Sequence, residues 1–173
     1  MKLKYITEPE GNMLRVIALK KFADVKEGEK GGLIETVLNL SQIGDCWVYK
    51  DAKVSENAKV YDNAKIYGKA RISGNAEVRN DACVGENAKV EENAKIRGDA
   101  RIEGNAVISG NAEVYGAYVC GNSTVSGEAG VYGDIWLEGN VKISGSTKIG
   151  GTLRVWGEIE LSGDGEIRDP HEF

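Results

Sequence analysis

Val60-Tyr61-Asp62-Asn63-Ala64-Lys65, Ile66-Tyr67-Gly68-Lys69-Ala70-Arg71, Ile72-Ser73-Gly74-Asn75-Ala76-Glu77 is one six-residue unit written three times. A branched aliphatic opens each unit, and a small residue follows four places later. Working outward, the aliphatic series runs Val48, Val54, Val60, Ile66, Ile72, Val78, Val84, Val90, Ile96, Ile102, Ile108, Val114. It slips by one residue and resumes at Val119, Val125, Val131, Leu137, Ile143, Ile149, Val155, Leu161, Ile167. The small series keeps step from Ala52 to Ala112 and across the slip to Ala117, Ser123 and Ala129. The slip therefore removes a corner residue and leaves the two series coupled.

The small residue and the next aliphatic are two apart, commonly with Lys, Arg or Glu between them. Strand side chains alternate faces, so both point inward while their neighbours point outward. The remaining two places form a corner, as at Glu56-Asn57 and Gly98-Asp99. Gly, Asn and Asp tolerate the left-handed backbone that a tight corner demands. Short strands joined by tight corners, all with one inward edge, make a solenoid. Every third outward residue reads Ser55, Ser73, Glu91, Ser109, Ser126, Ser144, Ser162. This column sets the true repeat at 18 residues, three strands per turn. The expected fold is all-β: a triangular prism of about seven coils, about 34 Å long at roughly 4.8 Å per stacked strand. From Ile135 onward the interior widens, as Ile135, Val141, Leu153 and Ile159 replace alanines.

The Val-x-x-Asn-Ala-x units resemble the hexapeptide repeat of left-handed parallel β-helix proteins. The left hand is implied by that resemblance; general crossover rules favour the opposite hand. The lead-in Phe22-Ala23-Asp24-Val25-Lys26 … Gly31-Gly32-Leu33-Ile34 … Asn39-Leu40-Ser41 … Gly44-Asp45-Cys46-Trp47-Val48-Tyr49 is similar to the start of YdcK-type proteins of bacteria and phages, commonly labelled transferases. The resemblance covers essentially the whole chain and specifies no reaction.

Residues 1–43 precede the strict repeat and read as an N-terminal cap and the approach to the helix. Leu3, Tyr5, then Leu14, Val16 and Ala18 suggest two short strands joined through Glu10-Gly11-Asn12. Residues 44–168 form the β-helix, and 169–173 a short tail. The far end is expected to be blunted by that tail or paired with another copy. The 173 residues carry a net charge of -5, which offers no general basic footprint for nucleic acid. The first residues are too short and charged for a signal peptide, and no run approaches a membrane span. A cytoplasmic location is the expectation.

No catalytic, metal or cofactor-binding residue can be assigned. Hexapeptide-repeat acyltransferases place a catalytic His near a subunit boundary; this chain has one His, His171, near its end. Zinc carbonic anhydrases of related fold use three. Cys46 is inward, while Cys83 and Cys120 are outward and two coils apart, beyond disulfide reach. The glycines follow the corner period and form no phosphate loop.

The three faces differ. The serine face looks solvated. The second face mixes charge with Tyr61, Tyr115 and Tyr132. The third reads Trp47/Tyr49, Lys65/Tyr67, Cys83/Gly85, Arg101/Glu103, Tyr118/Cys120, Trp136/Glu138, Arg154/Trp156, and holds all three tryptophans. Aromatics with Arg mark interface centres. Trp47, Tyr49, Tyr67, Arg101, Tyr118, Trp136, Arg154 and Trp156 are therefore the candidate contact residues. The alternative is that these aromatics lie against neighbouring side chains, or under the N-terminal segment for Trp47 and Tyr49. The leading functional expectation is a non-catalytic solenoid that binds itself or another protein. The alternatives are an acyl-CoA-dependent acyltransferase with an intersubunit site, and a regulator of a nucleic-acid-handling protein.

Overall fold

The structure, a computed structural model, describes residues 3–168, and these contain strands but no helix. Three strands open the chain: β1 (Tyr5–Glu10), β2 (Met13–Ala18) and β3 (Lys30–Ile34). Short strands follow at each hexapeptide, beginning with Trp47–Val48 and Lys53–Val54. Two long strands, Gly130–Ile143 and Lys148–Leu161, then run through their corners, and Glu166–Arg168 is the last.

Pairing between coils is parallel. On the serine face Ile34, Val54, Ile72, Val90, Ile108, Val125, Ile143 and Leu161 meet in register. The molecule is thus a parallel β-solenoid of about eight turns. The one-residue slip falls at Gly116, where the corner has a single residue. Ile102 still pairs with Val119, so the ladder is undisturbed.

The eighth turn comes from the lead-in. Leu33 pairs with Lys53 and Leu40 bridges to Val60, so residues 30–43 already belong to the first coil. Leu38, 78% exposed, holds the register place of Ala58, and the buried residue beside it is Asn39. Its Nδ2 donates to the carbonyls of Glu56 (2.9 Å) and Ala58 (2.8 Å), so its polar side chain is satisfied where it is buried. The strict period starts later because eight residues, not six, separate Leu40 from Val48.

The inward alanines and aliphatics from Ala52 to Ile143 are buried. Each such Val or Ile contributes about 1.5–3 kcal/mol of hydrophobic stabilisation. Corners are tied between coils. Asn57, Asn75, Asn93 and Asn111 form one amide ladder, with links of 3.1, 2.9 and 3.0 Å. Glu56, Glu86 and Glu92 hold positive φ, which costs a non-glycine residue about 1–2 kcal/mol. Their carboxylates accept the amides of Gly74, Gly104 and Gly110 one coil on, which offsets part of that strain.

The first coil is closed by the chain itself. β1 and β2 form an antiparallel hairpin, and β2 pairs antiparallel with β3. Lys4 is buried beneath it, its Nζ donating to the carbonyls of Gly44 (3.2 Å) and Cys46 (2.9 Å) and lying 3.2 Å from Cys46 Sγ. Burial pulls the Lys4 ammonium below its usual pKa, with Cys46 opposing. Burial likewise pushes the Tyr5 phenol up to about 12.

Candidate interaction face

The third face is built by outward residues flanking the column Val48, Ile66, Val84, Ile102, Val119, Leu137, Val155. Its N-terminal half is not a free surface. Trp47 occupies an outward position yet is 0% exposed. The cap folds over it: the Tyr5 and Phe22 rings meet its indole edge-on at 6.2 and 5.4 Å. Trp47 is therefore removed from the candidate contact residues, because hydrophobic burial under the cap outweighs its position on the strand. Tyr49 is half-buried, and its hydroxyl donates to Asp24 Oδ2 (2.7 Å). Lys65 bonds the other oxygen of Asp24 (2.7 Å). Both bonds hold the Asp24 carboxyl below its usual pKa.

Tyr67 is used within the face. A Cβ on Gly85 would fall 2.1 Å from Tyr67 Cε2, so the ring lies across that glycine. It thereby passes over one coil, and its hydroxyl donates to Glu103 Oε1 on the next. From the other side Tyr118 donates to Glu103 Oε2 (2.7 Å). Both phenols are raised in pKa, Tyr67 chiefly by burial and Tyr118 chiefly by the Glu103 bond. Glu103, Gly85 and Asp24 are thus working members of the face that the aromatic and arginine pattern does not reveal. Gly85 had a signal, being the one outward glycine in this face's columns.

The C-terminal half remains available. Tyr118 meets Trp136 edge-on at 4.6 Å, and the Arg154 guanidinium sits 5.2 Å from the Trp136 ring. Trp136 is 40% exposed and Trp156 70%. Arg101 is exposed and, with Glu103, Tyr118, Trp136, Asp99 and Asp134, borders a groove of about 380 Å³ at the single-residue corner Gly116. The structure thus brings Arg101, Tyr118, Trp136, Arg154 and Trp156 into one patch, ties Tyr67 to its edge through Glu103, and sets Trp47 and Tyr49 apart from it.

The described residues contain no group of three or more His, Cys, Asp or Glu placed to hold a metal ion. His171 lies outside the described residues. The cysteines are free thiols; Cys46 is buried, and burial raises its pKa. Among the described residues no helix is long and apolar enough to cross a membrane. No family model matches this chain, and no curated protein matches its sequence.

Proposed function

We propose that this chain is a non-catalytic β-solenoid that associates with itself through the C-terminal half of its third face. The observation that carries this reading is that two exposed tryptophans, Trp136 and Trp156, line one cleft with Arg154, whose guanidinium lies over the Trp136 ring. Interface centres are enriched in Trp and Arg, and such anchors carry most of the binding energy. The hexapeptide-repeat and YdcK-type kinship and the left hand belong to the same proposal and rest on the repeat and the lead-in motif.

Light scattering after gel filtration tests it. The wild-type chain is expected to elute as an oligomer, and Trp136→Arg with Trp156→Glu as a monomer of unchanged fold by circular dichroism. A wild-type monomer across the working concentration range would overturn self-association. An oligomer that survives the double change would move the contact off this face.

A further inference from the structure

The second face carries a column of planar side chains with one gap. Tyr61, Arg79, Arg97, Tyr115, Tyr132, Gly150 and Arg168 follow one another coil by coil. Arg97 pairs with Tyr115, Tyr115 with Tyr132, Tyr132 with Gly150, and Gly150 with Arg168. Every level but Gly150 presents a phenol ring or a guanidinium.

Two other outward glycines show what the fold does with such a gap. At Gly85 the ring of Tyr67 covers the space, and at Gly130 a Cβ would fall 2.3 Å from Tyr132 Cε2. Both gaps are filled by a neighbouring tyrosine. Gly150 is different: the nearest atom to an added Cβ is Arg168 Cγ, at 4.0 Å. Its backbone does not need glycine either, for it lies outside the left-handed region. Glycine in a strand interior is destabilising and marks a bulge, a tight bend or a close approach by a ligand or another backbone. The missing side chain leaves a groove of about 630 Å³, with Tyr132 and Arg168 among its walls and Gly150 and Gly151 in its lining. Two strand spacings, about 9.6 Å, separate the Tyr132 and Arg168 levels, which leaves room for one planar ring between them.

Charge narrows the occupant. Two carboxylates, Asp134 and Glu166, line the groove with Lys148 and Arg168; Glu166 is engaged by Arg168, and Lys148 forms no ion pair with a described residue. Arg168 donates to Glu166, with Nε–Oε1 at 2.9 Å. A guanidinium favours the face of an aromatic ring, and a free ammonium favours a carboxylate. We infer that the Gly150 gap is a binding slot for a planar aromatic carboxylate, its ring between Tyr132 and Arg168 and its carboxylate toward Lys148. The slot's groove shares Asp134 with the groove beside Trp136, but its walls, Tyr132 and Arg168, belong to the second face, so its failure leaves the self-association reading standing.

Naphthalene-2-carboxylate and its uncharged amide are the probes, titrated against the full chain by ligand-observed NMR. The acid is expected to bind more tightly than the amide. Gly150→Tyr fills the slot without backbone strain and is expected to weaken the acid about tenfold or more, a loss equal to one good ring contact. Lys148→Gln is expected to bring the acid to the level of the amide. A thermal melt confirms that each variant is folded. No binding by the wild type, or unchanged binding by Gly150→Tyr, overturns the inference. So does a wild-type oligomer that Gly150→Tyr dissociates while neither probe binds, which would make the occupant an aromatic side chain of a second copy.

Discussion

The first and last coils use the same three columns and the same kinds of residue, yet they are buried to different degrees. Ile34, Leu40 and Val48 in the first coil are buried, while Val155, Leu161 and Ile167 in the last are only half-buried. Side-chain size does not explain this, since alanines in the middle coils are fully buried. What differs is the neighbour. The first coil has a strand of its own chain laid antiparallel along its outer edge, whereas no described strand covers Gly151–Leu161. In a solenoid, burial is conferred by the adjacent layer, and an end without one is exposed whatever its composition.

The largest test of this contrast compares tryptophans at the two ends. Trp47→Ala is expected to destabilise the chain by about 3–5 kcal/mol in urea unfolding, because it empties the cap's core. Trp156→Ala should stay within about 0.5 kcal/mol at chain concentrations low enough to keep the protein monomeric. Equal losses would mean that the last coil is covered as well as the first.

Corner glycines offer a second comparison. Gly74 has φ of 70°, and an added Cβ would lie 2.6 Å from the Glu92 amide nitrogen. Gly163 has φ of 115° with open space around it. Gly74→Ala is expected to cost about 2 kcal/mol or more, and Gly163→Ala about 1 kcal/mol, in the same unfolding assay. A reversed order would show that coil stacking does not limit the corners.

Backbone protection reads the same difference without substitution. The amides of Lys53 and Lys59 bond to carbonyls one coil on, at 3.0 and 2.9 Å. The outward amides of Arg154 and Glu160 face no described strand. Native-state hydrogen exchange should be faster at these two by about a hundredfold or more. Comparable protection would require a layer over the last coil.

The smallest effect concerns Asp24, which ties the cap to Tyr49 and Lys65. Its folded pKa lies below the unfolded value of 3.8. The carboxylate therefore contributes stability above pH 3.8, and that contribution is lost as pH falls through the folded value. The carboxylate is half exposed, so the contribution should be under about 1 kcal/mol. Comparing unfolding of Asp24→Asn and wild type between pH 6 and about 2 measures it; parallel curves would deny Asp24 that role.

The solenoid was legible because its signal is local and repeated. The Ala and Val columns, the three faces and the corner residues follow from strand alternation at a fixed period, and the slip at Gly116 is visible as a lost corner residue. The first coil was hidden by its irregular spacing, with no small residue two places before Leu40 and an eight-residue step to Val48. On the third face, the placement of Trp136 and Trp156 could be read directly, since each projects from a regular strand. The fates of Trp47 and Tyr67 could not, because each depends on a group remote in sequence.

Residue order alone therefore determined the columns, the faces and the position of each corner, since these depend only on neighbours a few residues away. The tertiary structure decided which outward positions are surface. The hairpin buries Trp47, Tyr67 spans Gly85 to reach Glu103, and Gly150 alone of the outward glycines Gly85, Gly130 and Gly150 stays open. Those outcomes depend on groups remote in sequence: Trp47 meets Tyr5 and Phe22 of the cap, and the other side chains meet across layers 17 or 18 residues apart.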